Sequence, residues 1–424
     1  MTHEQRYDRT PDGTVWTPTE GVYALWSRYL AVFDRVAVLA RVRDVPSVAP
    51  NFKRADGDRV AFVAVPHYLG PAQYLGRVAR IRATIRNAVV QPKAVMLRAP
   101  GQISFCAESL IRGTGRPYGV EVMGDPRDVF APGAVEHPLR PYFRWWFTRR
   151  LRRVCAGAAA AAYVTERTLQ QRYPCNAYAA GVSDVDLPPA AFLDRYRQRA
   201  IDQSRKTRTV LSNSKCAGGD RGFTIVTVGS LAQLYKAPDV LIESAAECVR
   251  DGLDVRLVFV GDGRHRSDLE RLATKRGLAD RISFPGHVPA GEAVQAQLDR
   301  ADLFALPSRA DGLPRAMIEA MARGLPCIGS TVGGIPELLP PEDLVPPGNV
   351  SALTSKIREV VEDPARRDRM SRRNFEKAAA YRDDIVRARR TEFYEELRST
   401  TAKWLQNAGR PDRRASNRSD PRAE

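Results

Sequence analysis

The stretch Pro307 to Ser330, PSRADGLPRAMIEAMARGLPCIGS, sets an acidic turn, a helix start and a second carboxylate close together. Asp311 and Gly312 make a polar turn after an apolar run, a helix is predicted to open near Leu313, and Glu319 stands eight residues after Asp311. A helix opening at the carboxyl end of a strand presents unpaired N–H groups and the positive end of its dipole, a combination that favours phosphate. Glu319, about two turns in, can accept hydrogen bonds from a diol. Asp311 ahead of Gly-Leu-Pro also suits a turn or helix cap. Elsewhere the chemistry is sparse. Cys106, Cys155, Cys175, Cys216, Cys248 and Cys327 show no C-x-x-C spacing and no nearby His ligand pattern, so neither a zinc site nor a disulfide framework is indicated. His67 and His137 stand alone, Asp262 between two glycines reads as a turn, and Asp125, at a strand end, is a candidate acceptor contact.

Short apolar runs ending in Gly, Pro or Ser must position the Asp311 segment. Phe223 to Gly229, Val255 to Gly261, Arg281 to Gly286, Asp302 to Ser308 and Leu325 to Ser330 alternate with helix-length segments at Pro238 to Arg250, Arg264 to Arg276, Glu292 to Arg300 and Leu313 to Arg323. Continuous apolar strands between helices predict a parallel sheet covered on both faces, a doubly wound α/β domain. The N-terminal half repeats the style, with strands expected at Arg35 to Leu39, Val60 to Val65, Ala94 to Arg98, Gly119 to Met123 and Ala159 to Thr165. Helices are expected near Tyr68 to Ala88, Ser104 to Arg112 and Arg140 to Arg153. The polar stretch Asp194 to Arg221 is read as the connection between two Rossmann-like domains, whose facing strand ends would form a cleft. Asp383 to Leu405 reads as a packed helix, and the last residues as a disordered tail.

The net charge of +17 in 424 residues raises nucleic acid, anionic membrane or phosphorylated substrates as partners. Its location narrows these. About 29 basic and about 17 acidic residues lie in the first 200, against about 37 and 32 in the remainder, so the excess is N-terminal. Two stretches without Asp or Glu hold most of it, Gly76 to Arg98 and Pro138 to Val154, and the second interleaves six arginines with Tyr142, Phe143, Trp145, Trp146 and Phe147. Arg140 to Arg153 is therefore expected either to lie on an anionic bilayer or to bury its aromatic face while its arginines reach outward. The N-terminus lacks a secretory pattern and the longest low-polarity run, Val154 to Val164, is too short to span a bilayer. The expected location is the cytoplasm, with any membrane contact peripheral, and no nucleic-acid module is recognised.

Taken together, Asp311-x7-Glu319 in its frame, VGSLAQLYKAPDVLIESA (Val228 to Ala245), FVGDGR (Phe259 to Arg264), FPGHV (Phe284 to Val288) and VGGIPEL (Val332 to Leu338) resemble the retaining glycosyltransferase family 4, the glycosyl transferases group 1. The resemblance covers about 160 residues and is far more specific than a lone glycine pattern. It implies a GT-B fold, in which two Rossmann-like domains face a cleft: residues 1–205 for the acceptor, 206–382 for a nucleotide-sugar donor, 383–405 a helix crossing back, and 406–424 a tail. It implies a metal-independent transfer of a hexosyl unit, with no cofactor beyond the nucleotide-diphosphate sugar, to a hydroxyl acceptor that is a glycan, glycolipid or small molecule, as in polysaccharide biosynthesis. By the same resemblance Lys236 neutralises the donor diphosphate, beside Gly229, Ser230, Gly261 and Asp262. The N–H groups around Arg315 and Ala316 bind the phosphates, Asp311, Gly312 and Leu313 hold the sugar, Glu319 the ribose, and the backbone of Gly286, His287 and Val288 the base.

The chain departs from the family pattern at several positions. Ser230 stands where an arginine is common, Lys236 follows six residues later rather than five, and Asp311 is one methylene shorter than the usual Glu. Pro314 occupies a place that often offers an N–H, and Met123 one often held by His. These differences motivate an alternative, a non-catalytic sugar-nucleotide-binding relative acting as a partner subunit.

Overall fold

The computed structural model describes residues 1–18, 21–132, 137–185, 187–192 and 222–408. The expected interdomain connection, and with it the 205/206 boundary, lies outside the described residues, as does the tail from 409.

The N-terminal sheet contains β1 (Thr2–Arg9), β2 (Val15–Thr17), β3 (Val36–Asp44), β4 (Lys53–Arg54), β5 (Val60–Pro66), β6 (Met96–Ala99), β7 (Gly119–Val122), β8 (Ala160–Tyr163) and β9 (Tyr178–Gly181). Its parallel order is β5-β3-β1-β6-β7-β8-β9, with β2 and β4 added antiparallel at the end of β1. The strands expected from apolar runs are present with shifted ends. β1, an inner strand between β3 and β6, is not among them, because it reads THEQRYDR. Its Thr2, His3 and Tyr7 are buried, whereas Glu4, Gln5, Arg6 and Asp8 reach a cavity at the strand ends, so an inner strand here lacks the apolar signature of its neighbours.

Helices α1 (Gly70–Val90), α2 (Gln102–Ile111), α3 (Pro126–Val129), α4 (Arg140–Ala156) and α5 (Thr168–Arg172) connect these strands. Of the two expectations for α4, burial of its aromatic face is met for only part of the helix. Leu151, Val154 and Cys155 are buried, and the Trp146 and Phe147 rings lie 5.9 and 5.6 Å from Phe105 of α2. Tyr142 and Trp145, by contrast, remain 53% and 58% exposed.

The C-terminal sheet runs β12-β11-β10-β13-β14-β15, all parallel, from β10 (Phe223–Val228), β11 (Val255–Val260), β12 (Ile282–Gly286), β13 (Leu303–Leu306), β14 (Cys327–Ser330) and β15 (Leu344–Val345). Every residue of β13 and β14 is buried, the result of helices on both faces. Helices α6 (Pro238–Arg250), α7 (Arg315–Ala322) and α8 (Ile335–Leu338) matter for the site. A long helix, α9 (Asp383–Ala408), ends three residues beyond the expected Leu405, with Arg116 stacked over Trp404 near its end. It packs on β8 and β9 of the first domain, burying Phe393, Tyr394 and Leu397. Tyr394 stacks on Tyr29, and both hydroxyls reach the buried Glu121 carboxylate, which Arg98 pairs at 2.9 Å.

The domains meet through one buried apolar cluster that includes Val122 and Val164 on one side and Leu313 and Ile335 on the other. Beside it, the Glu337 carboxylate of α8 accepts backbone N–H groups of Glu166, Arg167 and Thr168 at 2.6, 3.1 and 2.6 Å. Those N–H groups open α5, so a C-domain carboxylate caps an N-domain helix. Sequence reasoning placed Glu337 within VGGIPEL without giving it this role.

Candidate functional site

The carboxyl ends of β10, β11 and β12 are drawn together by short backbone contacts. Gly229 N–H donates to Val260 O at 2.9 Å, and Gly261 N–H to Gly286 O at 2.9 Å. Gly261 has φ +144°, and a Cβ there would stand 2.0 Å from Gly229 O, so glycine is required at that crossing. Ser230 Oγ accepts Ala232 N–H at 3.2 Å and closes its own turn. Asp262 likewise accepts Gly263 N–H at 2.7 Å, as expected of a turn residue. His287 is exposed and Val288 half-buried just past β12.

Lys236 ends a 3₁₀ turn, Leu234–Lys236, and its stem passes over Gly229, with Cε 3.4 Å from where a Cβ would be. Its Nζ meets Asp311 Oδ2 at 2.7 Å, and Ser308 Oγ donates to the same oxygen at 3.2 Å. Ser308 is fixed in turn by Ser330, whose hydroxyl donates to Ser308 O at 2.6 Å. Burial alone would lower the Lys236 pKa, but the charges of Asp311 and Tyr235 outweigh it and hold the ammonium above its ordinary value. The cation is thus committed at neutral pH.

Arg309 holds this lysine turn in place, a role the sequence reading did not assign. Its guanidinium is bidentate to Asp239 at 2.8 and 2.6 Å and donates to Leu234 O at 3.0 Å, while its N–H donates to Tyr235 O at 2.7 Å. The signal was its place inside PSRADG, two residues before Asp311. Ala237, next to Lys236, is buried and left-handed at φ +54°, an uncommon state for a residue with a Cβ.

On α7 the exposed Arg315 and half-buried Ala316 and Glu319 share the open face, while Met317, Ile318, Ala320 and Met321 are buried. The helix starts after Pro314 without a side-chain cap, so its opening is left to backbone groups. The Asp311 turn is pressed from below by Gly333, where φ is +55° and a Cβ would stand 1.9 Å from Asp311 O. Gly334 N–H donates to Gly312 O at 2.6 Å. Across the domain junction, Gly312 comes within 3.2 Å of Met123 O, measured from its Cβ position.

Asp311, Gly312, Leu313 and Arg315 form one wall of a cavity of 840 Å³ between the domains. The opposite wall includes Glu4, Arg6, Asp8, Arg41, Arg43 and His67 from β1, β3 and the end of β5. Arg43 pairs with Asp8 at 3.0 Å and Arg41 with Glu4 at 3.5 Å. Gly286, His287, Val288 and Glu319 do not line this cavity; they belong to the neighbouring stretch of the same sheet edge. Asp125, a candidate acceptor contact, is instead the N-cap of α3: it is 2% exposed and binds Arg127 N–H at 2.8 Å, the Tyr173 hydroxyl and Arg172. Its carboxylate is consumed by structure. Among the described residues no group of three or more His, Cys, Asp or Glu is arranged to hold a metal ion.

Residues 218–377 match the model of a family described as "Glycosyl transferases group 1". Protein CapJ of Staphylococcus aureus is 25% identical over 341 residues, covering 80% of this chain and 80% of that protein. The 2-deoxystreptamine glucosyltransferase of Streptomyces kanamyceticus is 30% identical over 262 residues, 60% of this chain and 64% of that protein. Among solved structures, sucrose-phosphate synthase from Thermosynechococcus elongatus has a TM-score of 0.62 at 17% identity, over 89% of this chain and 92% of that one. Anabaena HepE in complex with UDP has a TM-score of 0.59 at 17% identity, over 94% and 99%. At such identities the structural likeness establishes the fold, the two-domain GT-B arrangement.

Proposed function

From the premise that residues 218–377 are a glycosyl transferases group 1 domain, we propose that this protein is a retaining glycosyltransferase moving a hexosyl unit from a nucleoside-diphosphate sugar to a hydroxyl acceptor. The observation that carries the proposal is the Lys236–Asp311 pair at the sheet edge, 2.7 Å apart, with Asp311 facing the interdomain cavity. Lys236 and the opening of α7 are placed to meet a diphosphate, and the Asp311–Leu313 turn to meet the sugar it carries. HepE, which has this fold, is known in complex with UDP, and a nucleotide in the corresponding place here accords with the premise.

In this reading the bond between the sugar C1 and the leaving phosphate oxygen breaks while the acceptor hydroxyl oxygen bonds to C1 on the same face. The hydroxyl proton passes to that leaving phosphate oxygen. Charge growing on the phosphate is met by the Lys236 ammonium, preorganised by Asp311 and the Arg309-anchored turn. Phosphate neutralisation is thereby assigned to Lys236 and backbone N–H groups, without a metal. The acceptor enters against β1 and β3, and the reading places the enzyme in the cytoplasm with its acceptor presented at the membrane. Among the described residues no helix is long and apolar enough to cross a bilayer.

The test is incubation with UDP-, GDP- and ADP-hexoses, following nucleoside diphosphate release and the anomeric configuration of any product. Release with retention supports the proposal. Tight donor binding with no release under any acceptor condition would instead favour a partner subunit, the reading that Ser230 supports by supplying no cation beside the phosphate site.

A further inference from the structure

The large apolar side chains exposed on this protein are not scattered. Among the described residues Leu69, Leu75 and Val90 lie on α1 or at its start, and Val129, Leu139, Tyr142 and Trp145 on α3, α4 or just before α4. The same α1 and α4 are rich in arginine and contain neither Asp nor Glu. They flank α2 on one side of the first sheet, since α2 packs against both of them. Exposed apolar groups and an excess of positive charge therefore share one face.

That face has a built pocket. Between α3 and α4 a cavity of 490 Å³ is lined by Arg127, Arg140, Arg144, Arg149 and Arg152, with Trp145 at 58% exposure among them. Every charged side chain lining it is an arginine. Arg144 and Arg152 donate to the backbone carbonyls of Arg127 and Arg172, at 3.0 and 3.3 Å, which orients them without neutralising them. Asp128, on the adjoining α3, pairs with Arg172 at 3.4 Å and also feels the charge of Arg144, so one carboxylate offsets part of the positive charge beside the pocket. Guanidinium forks match phosphate oxygens, and an exposed Trp beside Tyr and Leu suits the boundary between headgroups and acyl chains.

We propose that the α1–α4 face seats this protein on an anionic phospholipid bilayer, with phosphodiester headgroups held in the Arg127–Arg152 pocket and Trp145, Tyr142 and Leu139 entering the interface. This deepens the membrane-presented acceptor of the proposed function and does not depend on sugar transfer. Leu69 joins the two sites: it is exposed at the start of α1 and lines the 840 Å³ cleft, so the seated face adjoins the cleft rim.

The experiment is sedimentation of the whole chain with phosphatidylglycerol/phosphatidylcholine vesicles and with phosphatidylcholine vesicles, at fixed salt and without donor. The wild type is expected to bind the first and not the second. R144Q/R149Q/R152Q should weaken partitioning by roughly 100-fold, because each basic residue at an anionic surface contributes comparably. R80Q/R82Q/R86Q on α1 should give a comparable loss and W145A a smaller one, and both provide independent readouts should the triple variant on α4 fail to fold. Equal binding to both vesicle types, unchanged binding of the folded variants, saturation by inorganic phosphate with no gain from a bilayer, or tighter binding to single-stranded oligonucleotide at the same salt would each overturn the proposal. Donor-induced thermal shift, measured separately, keeps failure here distinct from failure of the donor site.

Discussion

Lys236 Nζ lies 2.7 Å from Asp311 Oδ2, joining the residue assigned to the diphosphate to the residue assigned to the sugar. Side chains of both are largely shielded, at 17% and 9% exposure, so neither charge is readily left alone. Lys236→Ala should weaken donor binding on the order of 10- to 100-fold, the loss of a charge-assisted phosphate contact, and should also destabilise the fold. Lys236→Met with Asp311→Asn should restore melting temperature but not donor affinity, a separation that calorimetry and thermal denaturation would read. Because the lysine pKa is raised above its ordinary 10.5, the pair's stabilisation is complete below that pH and lost only as pH climbs through the folded value.

Arg309 acts through the lysine turn. Arg309→Lys keeps the charge but cannot span both oxygens of Asp239 and Leu234 O together. The expected result is a raised KM for donor with little change for acceptor. An equal effect on both would make Arg309 a general structural residue.

Glu337 couples the domains through three backbone N–H groups. Glu337→Ala leaves these donors at a part-buried helix start and should cost about 1–2 kcal/mol, read as a lower denaturation midpoint. Glu337→Gln, which still offers one acceptor oxygen, should fall between wild type and Ala.

His3 gives a pH signature. It is 8% exposed beside Tyr7 OH at 2.7 Å, and burial, then the charges of Arg98 and Arg41, lower its pKa from 6.5 to about 3. The folded state therefore refuses a proton that the unfolded chain accepts below pH 6.5, so this contribution is present above 6.5 and lost as pH falls toward 3. Between pH 6.5 and 4.5, wild type should lose stability with a slope steeper than His3→Gln by up to about 1.4 kcal/mol per pH unit. Parallel slopes would contradict the assignment.

The donor side was legible because its inner strands are buried on both faces, leaving continuous apolar runs such as LFAL, and because its site residues cluster after strand ends. The acceptor side was less so. β1 is an inner strand, yet its Glu4, Gln5, Arg6 and Asp8 serve the cleft, and the polar pattern hides it. Asp125 looked available from its strand-end position, but only the fold brings Arg172 and Tyr173 onto it. α4 was ambiguous because its aromatics divide, Trp146 inward and Trp145 outward, a division set by where α2 lies.

The central claim is that the sheet edge around Lys236, Asp311 and Glu319 holds a nucleoside-diphosphate sugar. The most direct measurement is titration calorimetry of the wild type, Lys236→Ala and Glu319→Gln with UDP-, GDP- and ADP-hexoses. One nucleotide class should bind the wild type with 1:1 stoichiometry, and the variants should bind it at least about tenfold more weakly while remaining folded. No heat with any donor, or equal affinity in wild type and both variants, would contradict the account.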